Sequence, residues 1–115
     1  DRIARSVPVE IITTSTLVQD DPHSFALAPN RPNPFNPATQ ISYEVPVKTH
    51  ITITIYNLLG QEIATLVEAM HIPGLYSAVW SGKNQHGHQV ASGIYLYRMN
   101  TETGFTTTKR MTLLR

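Results

Sequence analysis

The 115-residue sequence contains no cysteine, which excludes disulfide bonds, a thiol nucleophile and cysteine-ligated metal sites. No apolar run approaches the ~18 residues of a membrane-spanning helix. The N-terminus has no basic segment followed by an apolar stretch, as a signal peptide would have. The formal net charge is only +1, and the basic residues are scattered. We therefore expect neither a membrane span nor a nucleic-acid-binding surface.

Aspartate is absent after position 21. General acid–base catalysis needs two carboxyl groups that converge in different environments, and calcium needs clustered carboxylates. There is also no Gly-x-Ser-x-Gly motif for a nucleophilic serine. We therefore predict a protein that is not an enzyme and that binds no cofactor. The only side-chain carboxylates after position 21 lie on different predicted strands and turns, and they are Glu44, Glu62, Glu68 and Glu102.

Histidines offer the remaining metal-ligating groups. His86 and His88 in HGH could project together and bind a transition metal with His71 or His50. Histidines in a glycine-containing loop are more often solvated, and structural zinc usually takes four ligands. We predict no metal site, and the histidine pair stays an open alternative.

Apolar and polar residues alternate in several short segments, as expected for strands with one buried face. Every second residue is apolar in ISYEV (41–45), and the isoleucines of HITITIY (50–56) repeat the pattern. Gly60 can adopt positive φ in the turn NLLGQ, so residues 50–67 are predicted to form a hairpin. Three later segments are also predicted to be strands: LYSAVW (75–80), GIYLYRM (93–99) and FTTTKRMTLLR (105–115).

Proline, glycine and asparagine clusters separate these strands, and we find no convincing helix. SFALAPN at 24–30 is a further candidate strand. About seven short strands separated by turn residues predict an all-β fold, namely an antiparallel β-sandwich of immunoglobulin-like or fibronectin-like type. We assign this domain to residues 25–115.

Residues 1–24 are predicted to be an extended N-terminal arm or linker. SVPVEIITTSTLV at 6–18 is β-prone, and the polar stretch QDDPHS separates it from the body. The arm is net −2 and the body net +3. The arm could end a preceding domain, add an edge strand to its own body, or donate a strand to a neighbouring molecule; the residues of such a donor strand would be Val7, Val9 and Ile11.

The stretch RPNPFNPATQ (31–40) contains three prolines. Each proline fixes φ, removes a backbone donor and favours extended geometry in the preceding residue. We predict a rigid strap that does not pair, and that crosses between sheets or runs along an edge. Phe35 would anchor it in the core, and its asparagine side chains would bond to local backbone.

Aromatic residues line one face of a predicted strand. Tyr95, Tyr97 and Met99 share that face, and Trp80 ends another strand. Such a row could be a carbohydrate platform, but it more commonly fills a sandwich core, with tyrosine hydroxyls bonding at the rim. Arg98 is predicted to lie over apolar or aromatic neighbours with its guanidinium in water.

Five motifs occur in one order: NPFNP, YNLLGQ, WSGKN, ASGIYLYR and KRMTLLR. In this set the chain resembles the C-terminal sorting domain, type A, of proteins exported by the type IX secretion system, over residues 25–115. The resemblance implies an immunoglobulin-like sandwich related to the Ig-like module of flagellar hook-capping proteins. It implies structural roles for the motif residues, which are Asn33, Pro34, Phe35, Asn36, Pro37, Gly60, Trp80, Gly82, Gly93, Tyr95 and Tyr97.

The resemblance also implies a function, that of a sorting and anchoring module without catalysis. Its partners would be outer-membrane components of the secretion system, and its location would be extracellular or on the cell surface after export across the outer membrane. The alternative is a subunit of an extracellular filament, whose partners are other copies of itself joined through the N-terminal strand. The resemblance places the sorting signal in the last strand, at Lys109, Arg110, Met111, Leu113, Leu114 and Arg115.

Overall fold

The computed structural model describes residues 24–115, and in them it contains seven strands and no helix. Hence no helix in this part of the chain is long and apolar enough to cross a membrane. The strands are β1 (Ala26–Leu27), β2 (Thr39–Val45), β3 (Thr49–Asn57), β4 (Glu62–His71), β5 (Gly74–Trp80), β6 (Gly93–Thr101) and β7 (Thr106–Leu113).

The strands form two antiparallel sheets, one of three strands in the order β1-β2-β5 and one of four in the order β4-β3-β6-β7. This confirms the predicted all-β sandwich of about seven strands. The candidate strand at 24–30 is present, but it is reduced to the two residues of β1. The proposed strand donor Val7, Val9 and Ile11 lies outside the described residues.

The core lies between the two sheets and follows the alternation in the sequence. In β3, Ile51, Ile53 and Ile55 expose no surface, and Ile41 and Val45 of β2 are equally buried. Burying such an aliphatic side chain contributes about 1.5–3 kcal/mol. The periodicity of two therefore decides which face of each strand turns inward.

The β3–β4 hairpin is the best-defined connection. Gly60 has φ +83, and the Asn57 Oδ1 atom accepts hydrogen bonds from the N–H groups of Leu59 (2.9 Å) and Gln61 (3.0 Å). The hairpin predicted over residues 50–67 is confirmed, but its predicted end was too early, because β4 continues to His71. Two register shifts along β3 leave extra residues in β4, as β-bulges do.

Candidate interaction site at the last strand

The proline-rich segment crosses from one sheet to the other. Arg31 forms an antiparallel bridge with Gln40 of β2, and Phe35 forms a parallel bridge with Leu113 of β7. The predicted crossing between sheets is confirmed. The prediction that the segment does not pair was wrong, because the residues between its prolines retain the backbone donors that proline lacks.

Phe35 and Asn33 attach this segment to β7. The Phe35 N–H donates to the Thr112 carbonyl (3.0 Å), and the Leu114 N–H donates to the Phe35 carbonyl (3.0 Å). The Asn33 Oδ1 atom accepts from the Thr112 N–H (3.0 Å). The prediction that the asparagines of this segment bond locally was therefore wrong for Asn33, whose partner lies in the last strand.

Phe35 is the predicted apolar anchor. Its side chain is buried and packs on Trp80, with ring centroids 5.6 Å apart. The neighbouring Asn30 is also buried, and its Nδ2 atom donates to Thr39 Oγ1 (3.0 Å) and the Pro32 carbonyl (3.2 Å). Apolar packing and these bonds fix the segment against both sheets.

The six predicted sorting residues fall into two groups. Met111 and Leu113 each have 0% exposure, because their side chains point into the core. Arg110 is exposed, Lys109 is half-buried, and Leu114 is 54% exposed. A partner that contacts the folded domain can therefore reach Lys109, Arg110 and Leu114, whereas Met111 and Leu113 can only position the strand.

Arg115 makes intramolecular contacts with the loop that follows Trp80. Its Nη2 atom donates to the Gly82 carbonyl (2.7 Å) and its Nε atom to the Val90 carbonyl (2.8 Å). Its backbone N–H donates to Ser92 Oγ (2.9 Å). The Arg115 guanidinium is thus engaged within the domain, and Lys109 and Arg110 are the basic side chains of β7 that face solvent.

The loop after Trp80 forms a small closed unit. Trp80 is buried, and its Nε1–H donates to the Lys83 carbonyl (2.9 Å). Gly82 has φ +73, and a Cβ atom there would lie 2.7 Å from Arg115 Nη2. These contacts give the WSGKN motif a structural role, since they close the loop and hold it against Arg115, which follows β7.

The aromatic row of β6 is part of the core. Tyr95 and Tyr97 are buried, and their hydroxyls donate to the carbonyls of Ala91 (2.7 Å) and Ala28 (2.8 Å). Burial raises the pKa of both tyrosines above the usual value. The core interpretation is therefore confirmed over the carbohydrate platform. Arg98 lies over the Tyr56 ring at 5.2 Å, also as predicted.

The candidate metal-ligating histidines are divided between strands and a loop: His50 lies in β3 and His71 in β4, whereas His86 and His88 lie in the loop after Trp80. His86 and His88 share one turn, with ring centroids 6.4 Å apart, and their backbone N–H groups both donate to Asn84 Oδ1. His71 instead bonds through Nε2 to the Tyr43 hydroxyl (2.8 Å). Within residues 24–115 no three His, Cys, Asp or Glu side chains assemble into a group that could hold a metal ion.

Sequence reasoning missed the residues that attach the C-terminal end of β7 and the Arg115 that follows it. Thr112, Val90 and Ser92 contact the proline-rich segment or Arg115 almost entirely through backbone groups or a small hydroxyl. Their side chains give no distinctive signal. The one signal available in the sequence was Gly82, because the close approach of Arg115 requires a residue without a Cβ atom at that position.

A family model described as the FlgD Ig-like domain matches residues 36–104. The chain belongs to this family. The match covers the strands from β2 to β6 and agrees with the predicted relationship to the Ig-like module of hook-capping proteins. The search of curated proteins found no match to this chain.

Several solved structures are similar in fold to this chain. Dimeric latent PorU from Porphyromonas gingivalis has a TM-score of 0.64 at 15% identity, over 90% of this chain and 10% of that chain. PorZ, described as an essential surface component of the type IX secretion system of the same bacterium, has a TM-score of 0.55 at 16% identity, over 79% of this chain and 11% of that chain. FlgD from P. aeruginosa has a TM-score of 0.52 at 22% identity, over 65% of this chain and 59% of that chain.

This chain thus spans about a tenth of the length of PorU and of PorZ. At these identities the similarity concerns the fold. The activities of the larger proteins are properties of those proteins.

Proposed function

We propose that this chain is a non-catalytic sorting and surface-anchoring module that directs an exported protein through the type IX secretion system. The observation that carries the proposal is the position of β7. This strand lies at the edge of the four-stranded sheet and presents Arg110, and in part Lys109, to solvent. Edge strands with exposed backbone are available to other proteins.

Two further observations support this function. The five sequence motifs occur together over residues 25–115 in the order found in type A sorting domains. The same fold occurs within PorZ, a surface component of the type IX secretion system. We propose accordingly that the protein acts outside the cell or on its surface, after export across the outer membrane.

The test is export of a reporter fused upstream of the chain in a bacterium that has this system, such as Porphyromonas gingivalis. Deleting 109–115 would remove core residues as well as the proposed signal, so a surface variant is more informative. Lys109→Glu with Arg110→Glu changes only side chains that reach solvent, and we expect the reporter to stay inside the cell.

The matched control is Lys48→Glu with Lys83→Glu, which makes the same change in charge at two exposed positions outside β7. We expect normal export from this control. Equal export from both double variants would refute a role for the basic side chains, and a reporter that is not exported even with the unmodified chain would refute the sorting function.

A second function, as a filament subunit that donates residues 6–18 to a neighbouring sandwich, is favoured by one contact. Phe25 stacks on Phe105 with centroids 5.1 Å apart, so the chain enters the described domain beside the start of β7. Size-exclusion chromatography with light scattering, at increasing concentration of the full chain, tests it. Polymers that disappear with Val9→Asp and Ile11→Asp are expected from this function, whereas a monomer at all concentrations contradicts it.

A further inference from the structure

The direction of the backbone groups in β7 follows from the contacts at its end. The N–H and carbonyl of Thr112 both bond to the proline-rich segment, so they point away from β6. The β6–β7 register is continuous from Gly93↔Leu113 to Asn100↔Thr106. Because consecutive residues of a strand alternate in direction, Thr106, Thr108 and Arg110 also point their backbone groups away from β6.

These outward groups form an open edge. The proline-rich segment bonds to β7 at Thr112 and Leu114 and then leaves for β2, where Arg31 pairs with Gln40. Within residues 24–115, no backbone group hydrogen-bonds to the outward N–H and carbonyl groups of Thr106, Thr108 and Arg110. Their side chains are exposed as well. We call this stretch the open edge of β7.

The other sheet edges are less suited to adding a strand. β4 has two register irregularities that interrupt a regular ladder. β1 has only two residues. β5 is regular over seven residues, but GLYSAVW contains no charged side chain that could select a partner. The open edge of β7 combines regular register with charge.

The charge on this edge is positive on both faces. Arg110 is exposed on the outer face, and Lys109 is half-buried on the opposite face of the same strand. Glu62 and Glu68 belong to β4, at the far edge of the sheet in the order β4-β3-β6-β7. Opposite charges directly across two strands stabilise their pairing, and like charges oppose it.

We propose that the open edge of β7 binds an extended segment of a partner protein, which adds a strand to the sheet and places carboxylate side chains opposite Arg110 and Lys109. The outward groups of Thr106, Thr108 and Arg110 supply the hydrogen bonds. This inference rests on the proposed function in one respect only, namely that the partner belongs to the export machinery. Binding itself is independent of export.

A proline at position 108 tests the edge directly. Thr108→Pro removes the outward N–H and leaves the ladder to β6 in place, because proline is tolerated at outward positions of edge strands. It also removes the Thr108 hydroxyl, which accepts from Arg98 Nε (3.1 Å). Thr108→Val is the matched control, since it removes the same hydroxyl but keeps the N–H. Circular dichroism and the thermal midpoint verify that both variants are folded.

The binding probe is a synthetic peptide of valine and threonine, about ten residues long, with two adjacent glutamates at its centre. Adjacent residues of a strand point to opposite faces, so the two carboxylates can meet Arg110 and Lys109. The comparison peptide has lysines in place of both glutamates. The readout is amide hydrogen exchange of the full chain by NMR. We expect the glutamate peptide to slow exchange at Thr106, Thr108 and Arg110 by roughly tenfold or more, in the unmodified chain and in Thr108→Val. Thr108→Pro and the lysine peptide should give no protection.

Three results would overturn the site: protection at β5 instead of β7, equal protection by both peptides, or an unchanged effect in Thr108→Pro. Protection without peptide that grows with protein concentration would show that a second copy, and not a partner protein, occupies the edge.

The same variants in the export assay separate this inference from the proposed function. Export by Thr108→Val but not by Thr108→Pro supports both. Export by both variants overturns the assignment of the export machinery as partner while sorting stands. If the unmodified chain does not export the reporter, the sorting function is refuted. The peptide experiment still decides whether the open edge of β7 binds a strand.

Discussion

At the scale of residues, Arg115 is attached to the loop after Trp80, and Gly82 makes that contact possible. Its positive φ and the lack of a Cβ atom allow the Arg115 guanidinium to reach the Gly82 carbonyl. Gly87 also has positive φ (+82), but nothing lies within 4 Å of where its Cβ atom would be. Comparing substitutions at the two glycines therefore separates two costs. Backbone strain is expected at both positions, whereas the close contact with Arg115 exists only at Gly82.

We expect Gly87→Ala to lower the free energy of unfolding by about 1–2 kcal/mol, the cost of a left-handed conformation with a Cβ atom. Gly82→Ala should cost more, because the methyl group also displaces Arg115. Urea unfolding measures both. The excess should vanish when Arg115→Ala is added to each variant, and an excess that persists would contradict the steric explanation.

The buried tyrosines predict how stability depends on pH. Burial raises the pKa of Tyr97 above 10.0, its value in the unfolded chain. Below pH 10 both states keep the phenolic proton, and above it the unfolded state releases its proton first, so the free energy of unfolding falls as pH rises. Unfolding measured between about pH 9 and 11 should show this decline, and Tyr97→Phe should reduce its slope. An unchanged slope in Tyr97→Phe would exclude Tyr97 as a cause.

At the scale of elements, strands could be predicted from the sequence, but their distant partners could not. The alternation in β2 and β3 identified the core, and Gly60 marked the hairpin, because both signals lie within a few residues. The attachment of Asn33 to Thr112 joins residues 79 positions apart, and no local pattern encodes it. The proline-rich segment was therefore predicted to cross the sandwich, but its pairing with β7 was not foreseen.

Asn33 gives a test of that attachment. Asn33→Ala removes the acceptor of the Thr112 N–H, and we expect it to destabilise the domain by about 0.5–1.5 kcal/mol. Asn36→Ala is the control, because Asn36 is also exposed but has no side-chain hydrogen bond within residues 24–115. Thermal and urea unfolding compare the two. Equal stability of both variants would show that the bond contributes nothing measurable.

At the scale of the whole molecule, the two sheets are joined at both ends of the sandwich. Phe35 and Trp80 pack together at one end. At the other, His71 of β4 bonds to the Tyr43 hydroxyl of β2, and its ring packs edge-on against Tyr76 of β5 at 4.5 Å. The His71 Nδ1 atom lies 3.0 Å from the Ala69 carbonyl. A carbonyl only accepts, so Nδ1 carries a proton, and in the neutral ring Nε2 then accepts from the Tyr43 hydroxyl.

This polar contact should couple the sheets energetically. In a double-mutant cycle with Tyr43→Phe and His71→Leu, we expect a coupling energy of about 0.5–3 kcal/mol in unfolding. The pair Tyr76→Phe and His71→Leu serves as the comparison, because Tyr76 contacts His71 by ring packing while its hydroxyl donates to the Ile72 carbonyl. A coupling near zero for Tyr43 and His71 would mean that this hydrogen bond adds nothing measurable to the association of the two sheets.

The parallel pairing of Phe35 with Leu113 also determines how the domain responds to mechanical tension. The segment near the start of the described domain and the strand near its end lie side by side and point the same way. A force that pulls on residue 24 and on Arg115 loads the bonds at Asn33, Phe35, Thr112 and Leu114 in shear. They must then break together and not one after another, which would suit the surface-anchoring function proposed above.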